Sequence, residues 1–107
     1  MSFGLLYVVC RTEKEARKIC LKLLEKRLIA CANIVPSINS IFRWKGKIEN
    51  AKETLLLCKI RKNDVKKAGK EILKIHSYEV PCICLLDVDS LNSSYKKWLI
   101  SEISIKK

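Results

Sequence analysis

Glycine and proline are scarce in this chain: three Gly and two Pro in 107 residues, with a single His and a single Met. So few glycines leave no phosphate-cradling loop, and there is no G-x-S-x-G nucleophile turn. A fibrous or disordered polymer is excluded as well, because 49% of the residues are hydrophobic and 31% charged, a balance that supports a packed core. No apolar run is long. Phe3 to Cys10 spans eight residues, has no basic leader, and falls far short of the roughly twenty that a bilayer requires. Residues 1–107 are therefore expected to form one domain without a membrane span or targeting segment. At this length the core is modest, so association of subunits would add apolar burial.

Acidic residues are also in short supply, 11 against 22 Lys and Arg, which leaves a net charge of +11. Such a field favours polyanions and acidic partners but names no ligand. The six cysteines, Cys10, Cys20, Cys31, Cys58, Cys82 and Cys84, lie inside apolar stretches rather than Gly-rich loops. They read as buried free thiols in a reduced, cytosolic protein, not as a disulfide framework.

Hydrophobic periodicity supplies the elements. Leu5–Cys10 reads as a buried strand, and Thr12 with Glu15 forms a capping-box pattern that opens a helix. Ala16, Ile19, Cys20, Leu23, Leu24 and Leu28 recur at helical spacing and end it near Leu28. A long hairpin follows, from Ala32 to Arg61, with Gly46 at its turn, Pro36 at an edge or bulge, and Ile38, Ser40, Phe42 and Trp44 on one strand face. Asn63 is placed to cap a second helix whose inner face carries Val65, Ala68, Ile72, Leu73 and Ile75. Pro81 precedes a fourth strand, CICLLDV, and Asn92 or Ser93 caps a last helix with Tyr95, Trp98, Leu99 and Ile103. The order is that of an α+β, ferredoxin-like βαββαβ sandwich with an added C-terminal helix.

The hairpin arm from Ala32 to Trp44 would reach about 40 Å if extended, more than the domain beneath it. An overhanging, partly apolar hairpin with open edges is expected to pair with another subunit.

Function is less legible. An RNA-recognition module shares the strand order, but it stacks bases on central-strand aromatics, and TLLLCKIR has none while the first strand offers only Tyr7. Specific nucleic-acid binding is not expected. For metal, there is no C-x-x-C pair and His76 is the only imidazole; Cys82 and Cys84 share a strand face, read as core thiols. No nucleophile, base and orienting group fall into a recognisable catalytic pattern, so an enzyme is not expected. The densest polar and aromatic cluster is IHSYEVP, between the second helix and the fourth strand.

Four segments, in order and with compatible spacing, resemble the divalent-cation tolerance (CutA) family over nearly the whole chain: LLEKRLIACANIVPSINSIFRWKGKIE, ETLLLCKIR, IHSYEVP and YKKWL. Phe42 stands where the family usually has Tyr, and Ser77 where it has Pro after the His, so one hydroxyl is lost and the backbone at His76 is less fixed. The resemblance implies a homotrimer joined through its hairpins, binding copper or another divalent cation in the response to metal ions. It places metal ligands at Cys10 and His76. It also implies a second possibility, a trimeric ligand-sensing or scaffold module whose intersubunit cleft takes a small anion or other ligand. Trp44, Glu53, Lys59, Tyr78 and Glu79 would line that cleft, Lys59 supplying charge for an anion and Glu53 for a cation; alternatively, Glu53 and Lys59 pair to fix the trimer.

Overall fold

Apolar residues on both faces make β1 (Phe3–Cys10) the inner strand of a four-stranded antiparallel sheet. The computed structural model describes residues 2–103. β3 (Lys47–Arg61) pairs with one side of β1 and β4 (Ile83–Asp87) with the other, while β2 (Ile29–Trp44) adds to the outer side of β3, giving the order β2-β3-β1-β4. Helices α1 (Glu13–Glu25) and α2 (Val65–Ile75) follow β1 and β3, and α3 (Ser93–Ile103) is the last element among the described residues. The α+β class and the βαββαβ order with a third helix are as expected. No helix among the described residues is long and apolar enough to cross a membrane.

Alternation sets the core. Leu6, Val8 and Cys10 of β1 and Leu56, Cys58 and Ile60 of β3 face α1 and α2, where they meet Ala16, Ile19, Leu23, Ala68 and Ile72. On the opposite face α3 covers one corner, with Leu99 and Ile103 against Phe3. The rest of that face, including Leu5, Tyr7, Val9, Leu55 and Leu57, is only half-buried.

Several local expectations are corrected. α1 stops at Glu25, three residues early, because Arg27 takes a left-handed turn (φ 55°) into β2. Asn63 does not cap α2; it lies in a 3₁₀ turn, Lys62–Asp64, whose Asp64 carboxylate is held by Arg61 at 2.8 Å. Leu73 points outward, 60% exposed. Cys82 and Cys84 are exposed rather than core thiols, since Cys84 in β4 and Cys82 just before it lie on the face opposite α1 and α2, beside Tyr7 and Val9.

The hairpin overhangs as expected. Pairing of β1 with β3 ends at Cys10 and Thr54, so residues 38–53 run on as a two-stranded ribbon, and the molecule extends 48 × 27 × 21 Å. Lys45 (φ 50°) and Gly46 (φ 81°) close it in a two-residue turn with both φ positive, matched to strand twist. Pro36 sits in a bulge: Val35 pairs with Leu55 and Ile38 with Glu53, leaving one extra residue on β2. Ser37 there takes φ 60°.

Candidate metal and ligand sites

The end of β1, the first turn of α1 and the loop after α2 converge on one point. Thr12 caps α1 by accepting the Glu15 amide at 3.1 Å, which fixes the Glu15 side chain over the end of β1. Its two carboxylate oxygens then accept the Arg11 and Ser77 amides at 2.8 and 2.7 Å. Ser77 thus does not loosen the loop as its departure from proline implies, because it donates an amide proton that a proline would lack. Its hydroxyl also accepts Arg11 Nε at 3.3 Å.

His76 is fixed at both nitrogens. Nδ1 accepts the Tyr78 amide at 3.1 Å, so Nε2 carries the proton and donates to Val9 O at 2.8 Å. The sulfur of Cys10, a Glu15 oxygen and a His76 nitrogen all lie within 4.8 Å of one another. The structure therefore brings together the two residues singled out as ligands and adds Glu15, which the sequence suggested only as a capping residue.

Thiolate, imidazole and carboxylate form a donor set suited to a borderline ion such as zinc or copper. Each donor is already engaged, however. Burial, then the nearby Glu15 and Glu53 carboxylates, pushes the Cys10 thiol up to about 12. Burial also works against the charge on Glu15, but the hydrogen bonds from Ser77 and Arg11 outweigh it and hold that carboxyl below its ordinary range. An ion entering here must displace the Cys10 proton and take a His76 nitrogen from its present partner, the Tyr78 amide at Nδ1 or the Val9 carbonyl at Nε2. The residues fit a metal whose binding is linked to proton release.

Cys58 is likewise pushed up to about 12, chiefly by burial. For both thiols the folded state keeps a proton that the unfolded chain loses near 9.0. Their contribution is complete below about pH 9 and is lost as the pH rises from 9 toward 12. The urea midpoint of reduced protein should fall over that window, and less steeply in Cys58→Ala measured alongside.

A second site lies where the ribbon leaves the body. A cleft of about 780 Å³ is lined by Phe42, Trp44, Glu49, Glu53, Tyr78 and Glu79, among others. Ser40, Phe42 and Trp44 share its wall, as their common strand face predicted. The Tyr78 hydroxyl donates to Glu53 Oε2, and the Tyr78 ring stands 5.0 Å from His76 with the Arg11 guanidinium 5.2 Å from its centre. Burial and the Glu53 acceptor raise the Tyr78 pKa. Tyr78 therefore ties the cleft to the Cys10–His76 cluster.

Within one chain Lys59 does not line this cleft. It lies six residues from Glu53 on β3, about 20 Å by strand rise, so no Glu53–Lys59 pair forms within the chain. Instead Lys59 reaches Asn33 Oδ1 at 3.4 Å and Cys31 Sγ at 3.7 Å, 5.5 Å from the centre of the Tyr95 ring. Cys31 also contacts the Tyr95 hydroxyl at 2.7 Å, and burial with that contact pushes Tyr95 up to about 12. This grouping docks α3 on β2 and was hidden in the sequence, since its members are 28 and 64 residues apart.

Comparison with known proteins follows the fold. The family described as "CutA1 divalent ion tolerance protein" matches residues 4–102. The divalent-cation tolerance protein CutA of Archaeoglobus fulgidus is 37% identical over 94 residues, 88% of this chain and 91% of that protein. A CutA homolog of Xenopus laevis is 37% identical over 98 residues, 92% of this chain. The chain spans 65% of that relative's length and 52% of the mouse relative's. Among solved structures, the divalent ion tolerance protein CutA1 of Ehrlichia chaffeensis superposes with a TM-score of 0.91 at 33% identity, covering 96% of each chain.

Proposed function

Because the chain belongs to the CutA1 divalent ion tolerance family, we propose that it is a homotrimer that binds copper or another divalent cation in the cellular response to metal ions. It binds its ion rather than transforming a substrate, and it works in the cytoplasm, where its six free thiols stay reduced. The observation that carries this reading is the convergence of Cys10, Glu15 and His76 within 4.8 Å. Assembly is supported by the overhanging ribbon and by the half-buried sheet face that α3 leaves open.

The test is a zinc titration of reduced, metal-free protein, with solution mass followed by light scattering. Expected are a mass near three chains, stoichiometric binding with proton release, and an affinity that rises with pH. His76→Ala and Cys10→Ser should each weaken binding by at least tenfold while the mass stays unchanged. Zinc binding that survives both substitutions, or releases no proton, would overturn the site; a monomer would overturn the assembly.

The cleft favours a second reading, a trimeric ligand-sensing or scaffold module whose metal binding is incidental. Its size falls within the range of small-molecule pockets, about 300–1,000 Å³, and aromatic and polar groups share its walls. A ligand that raises the melting temperature of metal-free protein would select it.

A further inference from the structure

The positive charge of this chain is not spread evenly. Residues 11–27 and 61–74, which hold α1 and nearly all of α2, carry 13 of the 22 Lys and Arg but 5 of the 11 Asp and Glu, and so +8 of the net +11. Most of those acids are engaged. Glu13 pairs with Arg17 at 3.6 Å, Asp64 with Arg61 at 2.8 Å, and Glu71 with Lys26 and Lys74 at 3.7 and 3.5 Å. Glu15 is held by the Arg11 and Ser77 amides, and Glu25 is exposed. Among the described residues, Lys14, Lys18, Lys22, Lys66, Lys67 and Lys70 have no carboxylate within ion-pair distance. Lys14, Lys18 and Lys22 follow one ridge of α1 in four-residue steps, about 6 Å each, and Lys66 and Lys70 do the same on α2.

Two large apolar side chains share this surface. Leu21 and Leu73 are 53% and 60% exposed, the only exposed ones of that kind on the two helices. Each follows a ridge lysine, Lys18 or Lys70, by three positions and so lies beside it. The layer covers the sheet on the side opposite its open face, so the trimer proposed above, which closes that open face, leaves α1 and α2 outside.

These features narrow the partner. The groove between the helices is lined by Lys26, Lys67, Lys70 and Lys74, but Glu71 sits among them and engages two, while Lys14, Lys18 and Lys22 stand outside it. The charge thus forms an extended surface rather than a pocket for one small anion. A nucleic-acid backbone would satisfy the lysines, yet residues 11–27 and 61–74 include no aromatic on which a base could stack, and the leucines would gain nothing. An anionic bilayer uses both kinds of group. Its phosphates meet the ammonium groups, and the leucines enter the boundary between headgroups and acyl chains.

We propose that the outer layer of α1 and α2 is a docking surface for an anionic phospholipid membrane, on which the two helices lie flat with Leu21 and Leu73 inserted.

The test is co-sedimentation of the reduced full chain with vesicles at pH 7 and about 0.15 M salt, phosphatidylcholine alone against phosphatidylcholine mixed with phosphatidylglycerol. Partition onto the mixed vesicles that falls as salt rises is expected, with none onto phosphatidylcholine alone. Lys18→Gln with Lys70→Gln removes one charge from each ridge and should weaken partition at least tenfold, each lysine at such a surface contributing a factor of about five. Leu21→Ser with Leu73→Ser should weaken it at least fivefold at unchanged charge. Lys45→Gln with Lys97→Gln, at the ribbon tip and on α3, removes the same charge from exposed sites elsewhere and should have less than a twofold effect. No partition onto the mixed vesicles, an equal loss in the Lys45 and Lys97 pair, or partition that ignores the leucine pair would each overturn the proposal. A chain that ignores the leucine pair but binds a DNA duplex through Lys18 and Lys70 would assign the ridges to nucleic acid instead.

Discussion

Gly4→Ala should detach β4. A Cβ on Gly4 would lie 2.6 Å from Leu85 Cδ1 and 2.7 Å from the Leu86 carbonyl oxygen. The leucine side chain has room to turn away, but the carbonyl belongs to the backbone of β4, so the strand itself must move. β4 has five residues and pairs only with β1 among the described strands, which leaves it little else to hold it. We expect a loss of about 3 kcal/mol, the upper end for overpacking a well-fitted site. Hydrogen exchange locates the damage: amides of Ile83–Asp87 should lose protection while the β1–β3 ladder keeps it. Gly69 is the control. A Cβ there meets nothing within 4 Å in the interior of α2, so Gly69→Ala should stabilise by about 0.5–1 kcal/mol. Equal effects at the two glycines would show that close approach is not what Gly4 provides.

Leu56→Ala should cost about 2–5 kcal/mol, a large share of the 5–15 kcal/mol that a domain commonly possesses. Leu56 is fully buried at the middle of β3, opposite Val8 on one side and Ile34 on the other, under α1 and α2. Truncation removes transfer energy and opens a cavity between elements that a sheet cannot close. Leu73 offers the same chemistry without burial, at 60% exposure on α2, and Leu73→Ala should stay within about 0.5 kcal/mol of the parent chain. Urea denaturation at one fixed protein concentration makes the comparison, because association would otherwise enter the apparent stability.

Much of this architecture was legible because it rests on short-range physics. Thr12 and Glu15 announced α1, short apolar runs placed β1 and β3, and Pro36 marked an edge or bulge. The failures share one cause, which is that a side chain's burial depends on what covers it. Cys82 and Cys84 alternate correctly but face away from the helices, and Leu73 fits the helical stripe at a position α1 does not reach. The candidate sites divide in the same way. His76 and Cys10 were singled out through family motifs, whereas Glu15 looked only like a cap. Lys59 matched a motif yet serves α3, since nothing local reveals that Tyr95 folds back over it.

The extra residue at Pro36–Ser37 bears on how this arm is inherited. It lies on β2 alone, so a lineage that loses one residue between the bulge and the tip can absorb the loss by straightening the strand. Pairing toward the tip then survives with Phe42 still opposite Glu49. The same loss from β3 has no such reserve and would double the mismatch. Single-residue gaps among descendants should therefore accumulate in one arm of the ribbon and be rare in the other, an asymmetry written into the lineage by one residue of slack.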